Sequence, residues 1–91
     1  MFYIVSYDIP DDRKRAKVAK TMLDFGTRVQ YSVFECIIND HTLLEKMTQK
    51  LGKLVSDEDS VRIYALCGKC EKVVAVLGRG GVTQDENVYI L

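Results

Sequence analysis

The chain contains no tryptophan, one proline and one histidine among its 91 residues. No apolar run approaches the roughly 18 residues that a membrane helix needs, and residues 1–20 show no signal-peptide pattern. With 47% apolar and 29% charged residues, the composition is typical of an ordered globular chain and excludes a disordered one. We therefore expect one small cytoplasmic domain that does not interact with membranes.

Cysteine is also scarce, and its odd number argues against a disulfide framework. The three cysteines are Cys36, Cys67 and Cys70, the last two within "CGKC". A complete zinc site within one chain is not expected, because the other candidate ligand, His41, is distant in sequence. A metal shared across a dimer, redox chemistry, or two small residues at a strand end remain the alternatives.

The formal net charge is zero, with 13 basic and 13 acidic residues, which argues against nucleic-acid binding by the whole surface. The charges are nevertheless segregated. Between residues 13 and 30 one acid, Asp24, is accompanied by six bases: Arg13, Lys14, Arg15, Lys17, Lys20 and Arg28. A local basic patch on a neutral protein can still bind phosphates.

Hydrophobic periodicity predicts an α+β chain. Strands are expected at 2–8, 28–38, 61–67, 72–78 and 87–91, and helices from Pro10 to about Phe25 and over 41–55. The segment 28–38 is long for one strand, so it could contain a hairpin. This order indicates a ferredoxin-like βαββαβ fold with an antiparallel sheet.

The two short strands at the end have no obvious room in one small sheet. Such strands can add to the exposed edge of a neighbouring molecule, which would make a dimer. We therefore expect a core over residues 1–78 and a C-terminal turn and strand over 79–91 that packs on the partner subunit.

The stretch "VSYDIPDDRKR" at residues 5–15 allows two interpretations. Arg15 projects over the apolar side of the first helix and needs a partner there. In one interpretation it converges with Asp8 at the strand end and with Asp11 or Asp12, forming a site for a divalent cation and a phosphodiester. In the other, Asp11 and Asp12 cap the helix, Arg15 pairs with one carboxylate, and the other bases remain in water. The residues alone leave both open.

The segments "YDIPDDRKRAKVAKTMLDFG", "RVQYSVFECII" and "RIYALC" resemble the CRISPR-associated Cas-two family, whose members work with the Cas-one integrase in acquiring spacers. The resemblance implies a ferredoxin-like fold and a homodimer whose last strands cross to the partner's sheet. It also implies endonuclease activity on RNA or double-stranded DNA that depends on magnesium or another divalent cation. A strand-end aspartate of each subunit would face its copy across the dimer axis.

Carried onto this chain, the resemblance makes Asp8 the metal ligand and a catalytic residue, with Tyr7 and Arg15 as further catalytic candidates. Lys17 stands where some members have arginine, and a lysine cannot make a bidentate phosphate contact. The motif of the second strand maps to Arg28, Gln30, Ser32 and Phe34, of which Ser32 and Phe34 are supporting residues. The candidates for nucleic-acid binding are Arg13, Lys14, Arg15, Lys17, Lys20, Arg28 and Arg79.

If residues 28–38 form one strand parallel to the first, Arg28 lies at the end remote from Asp8, and Phe34 lies about 20 Å nearer to Asp8. Two other functions are open. The dimer could be a non-catalytic scaffold that binds duplex DNA through basic residues, or the chain could be a ferredoxin-like sensor or toxin-type ribonuclease.

Overall fold

The computed structural model describes residues 1–67 and 70–79, excluding the side chains of residue 67 and of residues 70–74. Its elements are β1 (Phe2–Asp8), α1 (Asp12–Met22), β2 (Thr27–Gln30), β3 (Val33–Ile37), α2 (His41–Leu54), β4 (Ser60–Cys67) and β5 (Cys70–Gly78). Neither of these helices has the length and apolar character needed to cross a membrane.

The strands form one antiparallel sheet in the order β2-β3-β1-β4-β5. Two helical connections, β1-α1-β2 and β3-α2-β4, each cross over one intervening strand. This arrangement confirms the predicted ferredoxin-like fold.

The fifth strand extends this sheet as a hairpin with β4, in which Ser60 is paired with Gly78. The expectation that neither extra strand has room in the sheet is therefore wrong for the first of them, because a hairpin needs only a free edge. The predicted strand at 87–91 lies outside the described residues.

The segment 28–38 is a hairpin that reverses at Tyr31 and Ser32. This reversal places Arg28 opposite Phe34, and the Tyr7 amide donates to the Ser32 carbonyl at 3.1 Å. The prediction that Arg28 is remote from the end of β1 is therefore wrong. Its premise of a single strand fails because two short strands turn back at this end of the sheet.

The hydrophobic core lies between the helices and one face of the sheet. Alternate residues of β3, β1 and β4 point to this face, so Val5, Phe34 and Ile63 are side by side and fully buried. The helices contribute Val18 and Met22 from α1, and Met47 and Leu51 from α2. On the opposite face no described element covers the sheet.

Local signals define the start and end of α1. Asp11 is the N-cap, and its carboxylate accepts from the Lys14 amide at 2.8 Å, as the sequence predicted. The helix ends at Met22, three residues before the predicted end, and the Gly26 amide donates to the Met22 carbonyl at 3.0 Å. A side chain at Gly26 would meet the Glu35 carbonyl oxygen, so glycine allows the chain to pass close to β3.

Candidate functional site

Asp8 is the last residue of β1, and three quarters of its side chain is exposed. Arg79 donates from one terminal nitrogen to Asp8 Oδ2 at 2.8 Å, and its Nε donates to the Glu58 carbonyl at 3.2 Å. A depression of about 230 Å³ is lined by Ser6, Tyr7, Asp8, Ser60, Arg62 and Arg79. One carboxylate thus lies in an accessible depression lined by two arginines, an arrangement suited to a phosphodiester.

Arg15 has other partners. Its guanidinium donates to the Ile9 carbonyl at 3.0 Å and pairs with the carboxylate of Asp12. Arg15 therefore pairs with a carboxylate of the helix start, as one interpretation predicted, and none of the contacts described for it involves Asp8. Asp8 instead pairs with Arg79, 71 positions away, which no local pattern could indicate.

Lys14 is not a solvated base. Its Nζ lies 2.8 Å from Asp59 Oδ2 and 3.0 Å from the Ser56 hydroxyl, and Asp59 is 1% exposed. Burial raises the pKa of Asp59, but hydrogen bonds from Lys14 and Ser56 outweigh this effect, and the net pKa is lowered. The bond to Asp59 raises the pKa of Lys14. Lys14 therefore ties α1 to the segment before β4, a structural role that the sequence did not reveal.

Tyr7 and Phe34 belong to the core beneath the site. Their rings stack with centroids 6.3 Å apart, and both side chains are buried. Burial raises the pKa of Tyr7, and the nearby Arg28 charge partly offsets this shift. Among the residues described, the Tyr7 hydroxyl has no hydrogen-bond partner. Tyr7 and Asp8 are consecutive in a strand, so their side chains point to opposite faces.

Arg28 and Arg15 meet at Tyr31. The Nε of Arg28 donates to the Tyr31 carbonyl at 2.9 Å, and its guanidinium lies 5.2 Å from the Tyr31 ring centroid and 5.8 Å from that of Phe34. The Arg15 guanidinium lies 5.9 Å from the same Tyr31 ring. Both arginines were predicted from the sequence, and Tyr31 was not. An aromatic residue at a turn beside basic residues was the available signal.

The remaining predicted bases of α1, Arg13, Lys17 and Lys20, are exposed, as expected for a solvated helix face. Ser32 is half-buried at the hairpin turn, where its carbonyl binds the Tyr7 amide. Among the described side chains, no three His, Cys, Asp or Glu residues converge on a metal site. In "CGKC", Cys67 pairs with Cys70 in the register of β4 and β5, but their thiols lie outside the described side chains.

Comparisons with known proteins agree with this fold. The family profile for CRISPR associated protein Cas2 matches residues 1–74. The CRISPR-associated endoribonuclease Cas2 1 of Chloroflexus aurantiacus is 39% identical over the full length of both chains. The CRISPR-associated endonuclease Cas2 2 of Thermus thermophilus is 41% identical, covering 98% of this chain and 94% of its own.

Two solved structures resemble this chain in both fold and sequence. The crystal structure of Streptococcus pyogenes Cas2 at pH 6.5 has a TM-score of 0.68 and 31% identity, covering 76% of this chain and 89% of its own. A hypothetical protein from Thermus thermophilus has the same TM-score with 43% identity, covering 89% of this chain and 94% of its own. From its sequence and its fold, the chain belongs to the CRISPR-associated Cas2 family.

Proposed function

We propose that this chain forms a homodimer that binds nucleic acid and cleaves it in a reaction that depends on a divalent cation and on Asp8. The observation that carries the proposal is the accessible Asp8 carboxylate in a depression shared with Arg62 and Arg79. Relatives that are about two fifths identical are named endoribonuclease or endonuclease, which supports a phosphodiesterase activity.

The ligand available at this site, the Asp8 carboxylate, suits magnesium better than a cation that is coordinated entirely by protein groups. Magnesium is typically held by one or two carboxylates, with waters and substrate phosphate oxygens completing its coordination. Asp8 supplies one carboxylate per chain, and a homodimer would supply a second. When bound, the cation would polarise the phosphate and promote formation of a hydroxide nucleophile.

The chain's own residues orient the substrate and stabilise charge. Arg62 and Arg79 line the depression, where their charges would stabilise the extra negative charge of a phosphodiester transition state. Arg79 must release Asp8 when the site is loaded. An ion pair this exposed contributes little stability, so its exchange for a phosphate contact is energetically easy.

The uncovered sheet face provides a route to the homodimer. Phe2, Ile37 and Leu66 lie in one row across three strands, and Ile37 is 71% exposed. Two sheets can pack face to face over such a surface. Alternation along β1 places Asp8 on the same face as Phe2, so this packing would bring the two Asp8 residues to the interface.

A second role requires no catalysis. The exposed bases Arg13, Lys17 and Lys20 on α1 can contact the phosphates of duplex DNA. Because the site offers one carboxylate per chain, a scaffold that holds DNA for the Cas-one integrase during spacer acquisition is the second candidate function.

The proposal is tested by measuring cleavage of single-stranded RNA and of duplex DNA. The proteins compared are wild type, Asp8→Asn and Asp11→Asn, each with magnesium or with EDTA. Asp11 is the matched control because it is an exposed carboxylate in the same stretch whose observed contact is the helix cap. We expect magnesium-dependent cleavage that Asp8→Asn abolishes and Asp11→Asn largely retains.

Equal cleavage by wild type and Asp8→Asn would contradict the nuclease proposal and indicate a contaminating enzyme. Duplex binding measured in parallel at two salt concentrations separates the two roles. Binding that persists and weakens steeply with salt, without Asp8-dependent cleavage, would leave the scaffold as the function.

A further inference from the structure

A cleft between α1 and the β2-β3 hairpin is separate from the Asp8 depression, and the two share no lining residue. Its volume is about 400 Å³, within the range of small-molecule sites. We refer to it as the tyrosine cleft, and it is lined by Asp12, Arg15, Ala16, Ala19, Lys20, Leu23, Arg28 and Tyr31.

The Tyr31 side chain is 71% exposed although two guanidinium groups lie within 6 Å of its ring. Both guanidiniums are themselves anchored: Arg15 donates to the Ile9 carbonyl, and Arg28 donates to the carbonyl of Tyr31. The hairpin therefore presents an exposed aromatic ring beside two anchored guanidinium groups.

The charges of the tyrosine cleft favour an anion. It contains three cations, Arg15, Lys20 and Arg28, and one acid, Asp12, which already pairs with Arg15. Three apolar residues on or just after α1 also line it, Ala16, Ala19 and Leu23, and Leu23 is 63% exposed. An exposed aromatic ring, an apolar wall and a cationic rim together match a base attached to a phosphate.

We infer that the tyrosine cleft binds an unpaired nucleotide of single-stranded RNA or DNA, with its base against Tyr31 and its phosphate beside Arg28 and Lys20. A duplex cannot occupy it in this way, because its bases are already paired and stacked. The inference rests on the proposed nucleic-acid binding and deepens it, since it assigns the cleft to unpaired strands and leaves duplex binding to the other exposed bases of α1.

The test measures binding in EDTA, which prevents metal-dependent cleavage, to three probes of equal length: a single-stranded oligonucleotide, its duplex, and a strand whose sugars carry no bases. We expect Tyr31→Ala to weaken binding of the single strand by at least about fivefold, the lower limit for loss of one base stack. Binding of the duplex and of the abasic strand should stay unchanged.

Two control variants are measured beside Tyr31→Ala. Tyr31→Phe keeps the ring and should bind like wild type, which separates stacking from any contact of the hydroxyl. Leu43→Ala truncates an apolar side chain that is partly exposed on α2, outside the cleft, and should leave all three affinities unchanged.

A spectroscopic measurement reports on the contact itself. Because the chain has no tryptophan, Tyr31→Trp places a unique fluorophore in the cleft. Its emission should be quenched by the single strand and not by the abasic strand, since quenching requires a stacked base. Equal responses to the two strands would overturn the inference.

The inference and the proposed function can fail separately. If wild type binds the probes and Tyr31→Ala weakens all of them equally, or none of them, the tyrosine cleft does not hold a base and the proposed nucleic-acid binding still stands. If wild type binds none of the probes, both are overturned.

Discussion

Two carboxylates near the end of β1 have opposite environments. Asp8 is exposed and pairs with the exposed Arg79, whereas Asp59 is buried and pairs with Lys14. An exposed pair is easily exchanged for a substrate contact, and a buried one is costly to break. The first carboxylate is therefore available for function, and the second holds the fold together.

The Lys14–Asp59 pair should control acid stability. The lowered pKa of Asp59 gives stability that is present above its unfolded value of about 3.9 and is lost as pH falls through the folded pKa. The raised pKa of Lys14 gives stability that is present below about 10.4 and is lost as pH rises through the folded pKa. Lys14→Met should therefore lower the urea midpoint near neutral pH and move the acid transition to higher pH.

The matched control is Lys17→Met, since Lys17 is an exposed lysine of the same helix. Urea unfolding followed by circular dichroism from acid to neutral pH measures both variants. Equal midpoints for the two variants at every pH would show that the buried pair contributes nothing.

Arg79 should compete with the proposed divalent cation for Asp8. It holds the carboxylate at 2.8 Å, so Arg79→Met should lower the magnesium concentration that gives half-maximal cleavage. The maximal rate should fall at the same time, because the variant lacks the Arg79 charge that we propose stabilises the transition state. Magnesium titrations of initial cleavage rates separate the two effects, and an increased magnesium requirement would contradict the competition.

At the level of helices and strands, the sequence predicted most of the fold, including a possible hairpin within residues 28–38, but it did not locate the turn at Tyr31. Enrichment in β-branched and aromatic residues located β1, and the apolar stripes located α1 and α2. Residues 28–38 contain neither glycine nor proline, so the usual turn signal is absent and the segment resembled one long strand. That error also placed Arg28 wrongly. The pairing of Asp8 with Arg79 could not be predicted, because it depends on how β5 follows the sheet edge.

Two glycines should respond to alanine in opposite ways. A Cβ at Gly26 would lie 2.5 Å from the sulfur of Cys36 in β3, so Gly26→Ala should destabilise the protein by about 1–3 kcal/mol. A Cβ at Gly52, inside α2, would have nothing within 4 Å. Gly52→Ala should therefore stabilise by about 0.5–1 kcal/mol through helix propensity.

Chemical denaturation of both glycine variants measures these changes in the free energy of unfolding. A stabilising Gly26→Ala would contradict the close passage of the chain against β3. A destabilising Gly52→Ala would contradict the open surroundings of that helix position.

For the molecule as a whole, both helices lie on one side of the sheet and leave an apolar row on the other. A chain of this length buries limited surface by itself, so a second copy on that face would add stability. The proposed dimer interface and the accessible position of Asp8 thus involve the same face of the sheet.

Ile37→Lys should convert the proposed dimer to a monomer, because it places a charge in the centre of the proposed interface. Leu43→Lys, on α2 away from that face, is the control and should stay dimeric. Sedimentation velocity over a range of protein concentrations gives the result. A dimeric Ile37→Lys variant would exclude this face as the interface.

The central claim, that Asp8 holds the divalent cation, is tested most directly by Mn²⁺ binding. Loss of the free-ion signal in electron paramagnetic resonance reports binding independently of cleavage and of contaminating nucleases. With a phosphorothioate oligonucleotide present to resist hydrolysis, we expect binding by wild type and Asp11→Asn and none by Asp8→Asn. Equal binding by wild type and Asp8→Asn would contradict the assignment of Asp8 as the metal ligand.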